Sequence, residues 1–575
     1  MAICNFPSTP LLLFPPRIPI FLAINPKRKS LRAAACNTTS HKNWNISKDF
    51  ESQVKGHTFS EDFWADYKGK MEEMKQVLLQ HSNLEEKNNR KDSLILVDGI
   101  QRLGLDHHFD EEIDMILGKL SNHNFDSVEH DLYDVSLHFR LLRNHGYHVS
   151  SDVFNNFKGN GGKFEAELRQ DIQGLMELHE AAQLGFTDED IIDEAENFSR
   201  VNLNKCLEDT KVDDYHKKMI KNTLRHPQHK NIARLTARNC MNGGLVKGCS
   251  NKRWGKTLTE FAKMDASMGE LMHQEELLQV SKWWETVGIA EGLSRARSQP
   301  VKWYIWSMAM LIDSPSLRVE RIELAKVIAF VYLIDDIFDL YGTTDELSLF
   351  TQAINRWEYS ASDTLPEYMR KSYKGLLDTT NGIAQKVEDN YGTNPIDSFK
   401  VAWISLCSAF MLEARWFRSS ELPRAKEYLE NGQVSTGAHV ILVHLFFLLG
   451  LGRGWSSLHL KDTSTLLSSV ATICRLSDDL GTAQQDGSDG SYLKCCMNDE
   501  AKMSRKEAQQ HMESMISNQW KILNKECFLH LNDSSVTCFR RASLNSARMV
   551  PLMYTYDQNQ RLMLLEQLVN TTKLF

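Results

Sequence analysis

Ser314-Pro315-Ser316-Leu317-Arg318-Val319-Glu320-Arg321-Ile322-Glu323-Leu324-Ala325-Lys326-Val327-Ile328-Ala329-Phe330-Val331-Tyr332-Leu333-Ile334-Asp335-Asp336-Ile337-Phe338-Asp339-Leu340-Tyr341-Gly342 carries the start and stop signals of a helix. Ser314 suits a cap, Pro315 a first helical position and Gly342 a terminator. From Val327 to Ile334 the segment is apolar on every side, which for a helix means burial within a larger helical assembly. Three carboxylates follow: Asp335 and Asp339 share one face at a spacing of four, with Asp336 beside them. Like charges so placed repel, and they also meet the negative end of the helix dipole, each penalty being roughly 0.3 to 1 kcal/mol. A solvated acidic helix end is the plain alternative, and the apolar approach argues against it. Such a cluster calls for cations, and hard oxygen ligands arriving in twos or threes suit Mg²⁺ or Mn²⁺.

A second acidic cluster lies in Leu466 to Gly487, where Asp478, Thr482 and Asp486 recur every four positions and Arg475 precedes Asp478 by three on the same face. Two carboxylates and a hydroxyl can hold a further hard cation, and the guanidinium suits bidentate contact with phosphate oxygens. Two acidic faces plus arginine describe a diphosphate held by several Mg²⁺ ions.

These residues carry a family resemblance. Asp335-Asp336-Ile337-Phe338-Asp339 resembles the Asp-rich motif of class I terpene synthases, and Asp478-Asp479-Leu480-Gly481-Thr482-Ala483-Gln484-Gln485-Asp486 resembles their second metal motif, in matching order and separation. The family's second motif usually ends in Glu, so Asp486, with its shorter side chain and a Gly487-Ser488-Asp489-Gly490 turn after it, departs from the pattern. The resemblance extends from Asp49 to Phe575 and implies an all-α chain: a C-terminal class I helical bundle with an N-terminal α-helical, barrel-like domain. It also implies three Mg²⁺ ions and a small-molecule prenyl diphosphate substrate, and a monomer is expected.

Composition agrees with a soluble globular chain. A net charge of -8 and a pI near 6.2 argue against nucleic acid as a partner. The longest apolar run, Val440 to Leu451, is too short for a membrane span and reads as a buried helix. The 11 cysteines form no Cys-x-x-Cys pair, which points to neither a zinc site nor a disulfide framework.

From Met1 through Lys48 no acidic residue occurs while Arg and Lys recur among Ser, Thr and Ala, the composition of an organelle transit peptide. We therefore expect a disordered leader over 1–45, with plastid import following from the resemblance and the cytosol as the alternative. Amphipathic stretches then run over 49–239, including Phe139-Arg140-Leu141-Leu142-Arg143-Asn144-His145-Gly146-Tyr147 and Gly174-Leu175-Met176-Glu177-Leu178-His179-Glu180-Ala181-Ala182, whose plainest role is packing. This half contains no Asp-x-Asp-Asp, so protonation-initiated cyclisation is not expected. The Gly- and Lys-rich stretch 240–256 reads as a linker, and 257–575 as the catalytic bundle.

The tandem arginine that many cyclising monoterpene synthases carry near the mature N-terminus is missing before Trp44. Its absence resembles the subgroup that makes acyclic alcohols, although some cyclising sesquiterpene enzymes lack it too. Downstream, the family places an Arg-x-Arg that draws the leaving diphosphate away. Arg295-Ala296-Arg297 fits the literal pattern, whereas alignment through Trp306 puts Arg297 first and Gln299 second; the second register is preferred, and Arg297 is the expected residue. Trp303, Tyr304, Trp306, Tyr332 and Trp403 offer aromatic faces near the expected site, each able to stabilise a cation by about 0.5 to 2 kcal/mol, or to serve as ordinary core. Gly437 is the expected hinge of a helix break within Asn431 to His439.

The combined expectation is ionisation of geranyl or farnesyl diphosphate. Asp335 and Asp339 hold metal on one side, Asp478, Thr482 and Asp486 on the other, and Arg297 and Arg475 bind the diphosphate. Water capture would give linalool or nerolidol. A cyclising synthase with the same metal site is one rival, and a diphosphate-binding relative impaired by Asp486 is another.

Overall fold

The structure, a computed structural model, describes residues 59–82, 87–122, 131–234, 237, 252–289, 293, 296–312, 316–419, 422–452, 460–485, 491–499, 503–528 and 534–554. The expected leader and most of the expected linker lie outside these residues. Among the described residues the chain is helical throughout, its only extended pairing being an isolated bridge between Lys158 and Phe164. No described helix is long and apolar enough to cross a membrane.

The N-terminal half is built from α1 (Glu61–His81), α2 (Lys87–Arg102), α3 (Asp110–Ser121), α4 (Leu132–Asn144), α5 (Ile172–Ala182), α6 (Asp190–Glu208) and α7 (Asp214–Arg225). Side-chain caps fix several of their starts: Ser60 accepts from Phe63 N–H at 3.2 Å and Asp131 from Asp134 N–H at 2.8 Å, each satisfying an orphan donor of the first turn. The phrases read as packing are buried, and they also hold a charged cluster. Arg140 binds Asp98 at 2.6 Å and pairs with Glu177, and Arg102 binds Asp98 at 2.7 Å.

α8 (Gly255–Val287) ties the halves together. It begins inside the stretch read as linker. Leu258, Phe261 and Ala262 in its first turns join the N-terminal core, while Trp284 near its end packs in the C-terminal one. Midway, Glu276 is fully buried and takes Arg321 Nε and Nη2 at 2.8 Å each, with Tyr304 O–H also at 2.8 Å. Removing one partner of such a pair costs about 3–5 kcal/mol, because the other charge is left uncompensated. A second tie runs through Asn524, which binds His229 Nε2 at 2.7 Å and donates to the Gln183 carbonyl at 2.9 Å.

The C-terminal bundle comprises α9 (Pro300–Met310), α10 (Arg318–Asp336), α11 (Thr344–Arg356), α12 (Glu367–Tyr391), α13 (Ile396–Ser419), α14 (Ala425–Ser435), α15 (Ala438–Leu448), α16 (Ser464–Gln485), α17 (Ser491–Asn498), α18 (Arg505–Phe528) and α19 (Ser534–Tyr554). α10 is the buried helix read from the sequence, with Val327 to Val331 within the core. Its start differs from the expectation: the first helical residue is Arg318, Leu317 stands at the cap without a side-chain bond, and Ser314 and Pro315 lie outside the described residues. Its end differs too, because Ile337–Tyr341 form a π-helical turn closed by Gly342 N–H to the Ile337 carbonyl at 2.9 Å. With about 4.4 residues per turn there, Asp339 still falls close to the face of Asp335, and such turns recur at functional sites.

Candidate active site

Asp335 ends the apolar run of α10 half-exposed, whereas Asp336 is 2% exposed. The difference follows from the helix face: Asp336 turns inward onto the segment that precedes α9. There its Oδ2 accepts Arg297 N–H at 2.7 Å and its Oδ1 accepts Arg297 Nε at 2.6 Å, while Arg297 Nη2 donates to Asp335 Oδ2 at 2.5 Å. Burial pushes the Asp336 carboxyl up to about 6 despite Arg297, with Asp335 adding to the rise. The Arg297 guanidinium also lies 5.0 Å over the Tyr332 ring, and Lys302 lies 5.1 Å over the same ring. Asp339 is half-buried on the π turn, and Phe338 beside it meets Phe410 of α13 at 5.6 Å.

The second cluster sits near the C-terminal end of α16. Arg475 is 4% exposed; its Nη2 donates to Ser435 Oγ at 3.1 Å, and Ser435 O–H donates to Glu413 Oε1 at 2.6 Å. Its Nη1 is 3.8 Å from Asp478 Oδ2 and 3.7 Å from Asp479 Oδ1. Asp478 is half-exposed, Thr482 lies on α16 with its side chain outside the described set, and Asp486 lies outside the described residues.

The break between α14 and α15 joins the two clusters. Gly437 has φ +72°, a left-handed conformation that suits glycine, and a Cβ there would lie 2.5 Å from Val331, one turn before Asp335. On its other side the break touches the second cluster: Ser435 binds Arg475, and Gly432 approaches it so closely that a Cβ would sit 3.0 Å from Arg475 Cγ. α13 spans the same gap with Phe410 toward the first cluster and Glu413 toward the second. The break thus touches α10 one turn before Asp335 on one side and Arg475 of α16 on the other.

Several expectations need adjustment. Tyr304 is not an aromatic face of this site; its hydroxyl donates to Glu276 and meets His273 Nδ1 at 2.7 Å, in a separate buried cluster. Trp303 packs edge-on against Trp284 at 4.7 Å, and Trp403 lies 5.8 Å from His444. Arg295 lies outside the described residues. Sequence reading missed Glu413, Ser435 and the anchoring role of Asp336, although an acid at 413 after the apolar Ala409-Phe410-Met411-Leu412 was a usable signal.

Among the described residues, the only group of three candidate ligands within 4.8 Å of one another is elsewhere: His107, His108 and Asp265. Asp265 there takes His108 at 2.7 Å and Arg234 at 2.6 Å, so the guanidinium already supplies the balancing cation. At the acidic helix ends the donor set is all oxygen, and Asp335 and Asp478 are open, which fits hard divalent ions shared with an oxygen-rich ligand.

The family models for the terpene synthase N-terminal domain and the terpene synthase metal-binding domain match residues 43–224 and 285–522. A chloroplastic tricyclene synthase from Antirrhinum majus is 47% identical over 93% of this chain and 94% of its own. An (E)-nerolidol synthase from Cannabis sativa is 41% identical, covering 95% and 99%. Among solved structures, isoprene synthase from grey poplar in complex with three Mg²⁺ ions and dimethylallyl-S-thiolodiphosphate superposes with a TM-score of 0.78 at 29% identity, covering 87% of this chain and 96% of that one. Limonene synthase with 2-fluorolinalyl diphosphate gives 0.80 at 28%, covering 95% and 98%.

Proposed function

We propose that this chain, which belongs to the terpene synthase family, ionises an allylic prenyl diphosphate and lets water capture the cation as an acyclic tertiary alcohol. The observation that carries the reading is the convergence of Asp335 with Arg297, and of Asp478 with Arg475, on the two sides of the Gly437 break.

Asp335 and Asp339 would hold divalent metal on one side, and Asp478, Thr482 and Asp486 on the other, with Mg²⁺ the expected ion. When bound, these ions neutralise charge developing on the departing diphosphate. Arg297 and Arg475 donate to the same oxygens. Arg475 is held in place by Ser435 and Glu413, so it is preorganised rather than gathered at the moment of reaction. Arg297 Nη2 could turn from Asp335 to the ligand, a trade between two charge-assisted bonds that would leave its link to Asp336 intact. α10 and α15 contribute to one apolar core, and apolar side chains from it would exclude bulk water from the allylic cation.

Capture of water at the tertiary carbon gives linalool from the C10 substrate and nerolidol from the C15 one. The nerolidol synthase among the relatives supports the acyclic product, while the tricyclene synthases support ring closure as the second reading. Chloroplastic relatives and the basic leader favour a plastid location, and with it the C10 substrate.

Asp335→Asn and Asp478→Asn test the assignment. Each should reduce turnover of geranyl diphosphate at least 100-fold with an unchanged far-ultraviolet circular dichroism spectrum. Full activity in either variant would remove that carboxylate from the mechanism.

A further inference from the structure

α9 and the end of α10 are buried on nearly every side, and the few side chains left open come together. Along α9 every residue from Pro300 to Met310 is buried except Lys302 and Trp306, which share a face at a spacing of four. From Val327 to Asp339 the only residues not buried are Tyr332, Asp335 and Asp339. The two open faces meet where the Lys302 ammonium lies 5.1 Å over the Tyr332 ring, on which Arg297 also rests at 5.0 Å. The chain on either side of Lys302 is tied to α8: Ser298 Oγ accepts Trp284 Nε1–H at 3.1 Å, and Trp303 packs edge-on against the same indole at 4.7 Å.

The two cations on this ring differ in what balances them. Arg297 is matched by Asp335 and Asp336. Lys302 is the next cation along the chain, since Gln299 is uncharged, and among the described residues its ammonium makes neither an ion pair nor a hydrogen bond. A ring face returns about 0.5 to 2 kcal/mol to a cation. A charge-assisted bond from an anion would add to that, and a half-buried ammonium beside a guanidinium stands to gain most from it. Asp335, one turn beyond Tyr332, is bonded to Arg297 and not to Lys302.

We propose that Lys302 is a binding residue for the diphosphate, its ammonium donating to oxygens of the group that Arg297 also meets. A ligand with oxygens on two phosphorus centres can engage both cations at once. Once Asp335 is engaged by a divalent ion, its charge no longer offsets them, and the demand for a polyanion at this ring grows. The inference rests on the diphosphate reading above and adds α9 to the elements that hold the leaving group.

Binding of inorganic pyrophosphate in the presence of Mg²⁺, measured by isothermal titration calorimetry on the full chain, tests this without turnover. Lys302→Met keeps an unbranched stem over Tyr332 and removes the charge; it should weaken binding at least tenfold, whereas Lys302→Arg should stay within about threefold of wild type. Affinity within twofold of wild type in Lys302→Met would overturn the proposal while leaving the diphosphate reading in place. A wild-type chain that binds no pyrophosphate would overturn both. Reductive methylation of wild-type lysines, read by mass spectrometry, asks the same question without a variant. Pyrophosphate with Mg²⁺ should slow labelling of Lys302 at least fivefold, and an unchanged rate would contradict the assignment.

Discussion

Glu180 on α5 is 4% exposed, and its Oε2 accepts Gln228 N–H at 2.7 Å. Burial pushes its carboxyl from 4.5 up to about 7; Arg102 and Arg140 pull it down and Glu177 adds to the rise. An acid whose folded value is raised takes up a proton on folding, so its contribution is most favourable below about 4.5 and is lost as pH climbs through about 7. At about 1.4 kcal/mol per unit, the loss across that window is about 3 kcal/mol. Glu180→Gln keeps an acceptor for Gln228 and removes the titration. Thermal unfolding followed by circular dichroism at pH 5 and pH 8, at constant ionic strength, measures the effect. Buried His179 and His439, both lowered to about 4 by burial, lose their contribution as pH falls below about 6.5 and so oppose the trend in both proteins. The comparison must therefore be between variant and wild type. For a chain of 575 residues unfolding as one unit, the variant should gain roughly 2–3 °C relative to wild type on moving from pH 5 to pH 8. Parallel pH profiles for the two proteins would refute the reasoning.

At Gly437, alanine would put a Cβ 2.5 Å from Val331 in a left-handed backbone, so Gly437→Ala should cost roughly 1–3 kcal/mol and change the product mixture, both readable from a melt and a product profile. Arg297→Ala should lower kcat by roughly 100- to 1000-fold, the scale of one lost donor to a developing oxyanion; a loss below fivefold would assign the diphosphate contact elsewhere. Chelation with EDTA should abolish turnover, and added Mg²⁺ should restore it.

The buried helix α10 and its carboxylates were legible in the sequence because apolar residues on every side followed by acids leave few physical solutions. Gly437 was legible for a similar reason, a glycine interrupting a helical pattern. What escaped were features set by tertiary contact. Nothing local distinguishes Asp335 from Asp336, and only the packing of the segment before α9 decides which one faces the ligand. The π turn at Ile337–Tyr341 likewise depends on how the end of α10 seats against α13. Tyr304 looked like a pocket aromatic by proximity in sequence, yet Glu276 and Arg321, buried from two other helices, claim its hydroxyl.

Product analysis by gas chromatography and mass spectrometry, with protein lacking residues 1–45, geranyl and farnesyl diphosphates and Mg²⁺, reads the fate of the allylic cation. A dominant acyclic tertiary alcohol is expected, linalool from the C10 substrate or nerolidol from the C15 one, with inorganic diphosphate released in equal amount. Cyclic hydrocarbons as the main products would contradict water capture of the acyclic cation.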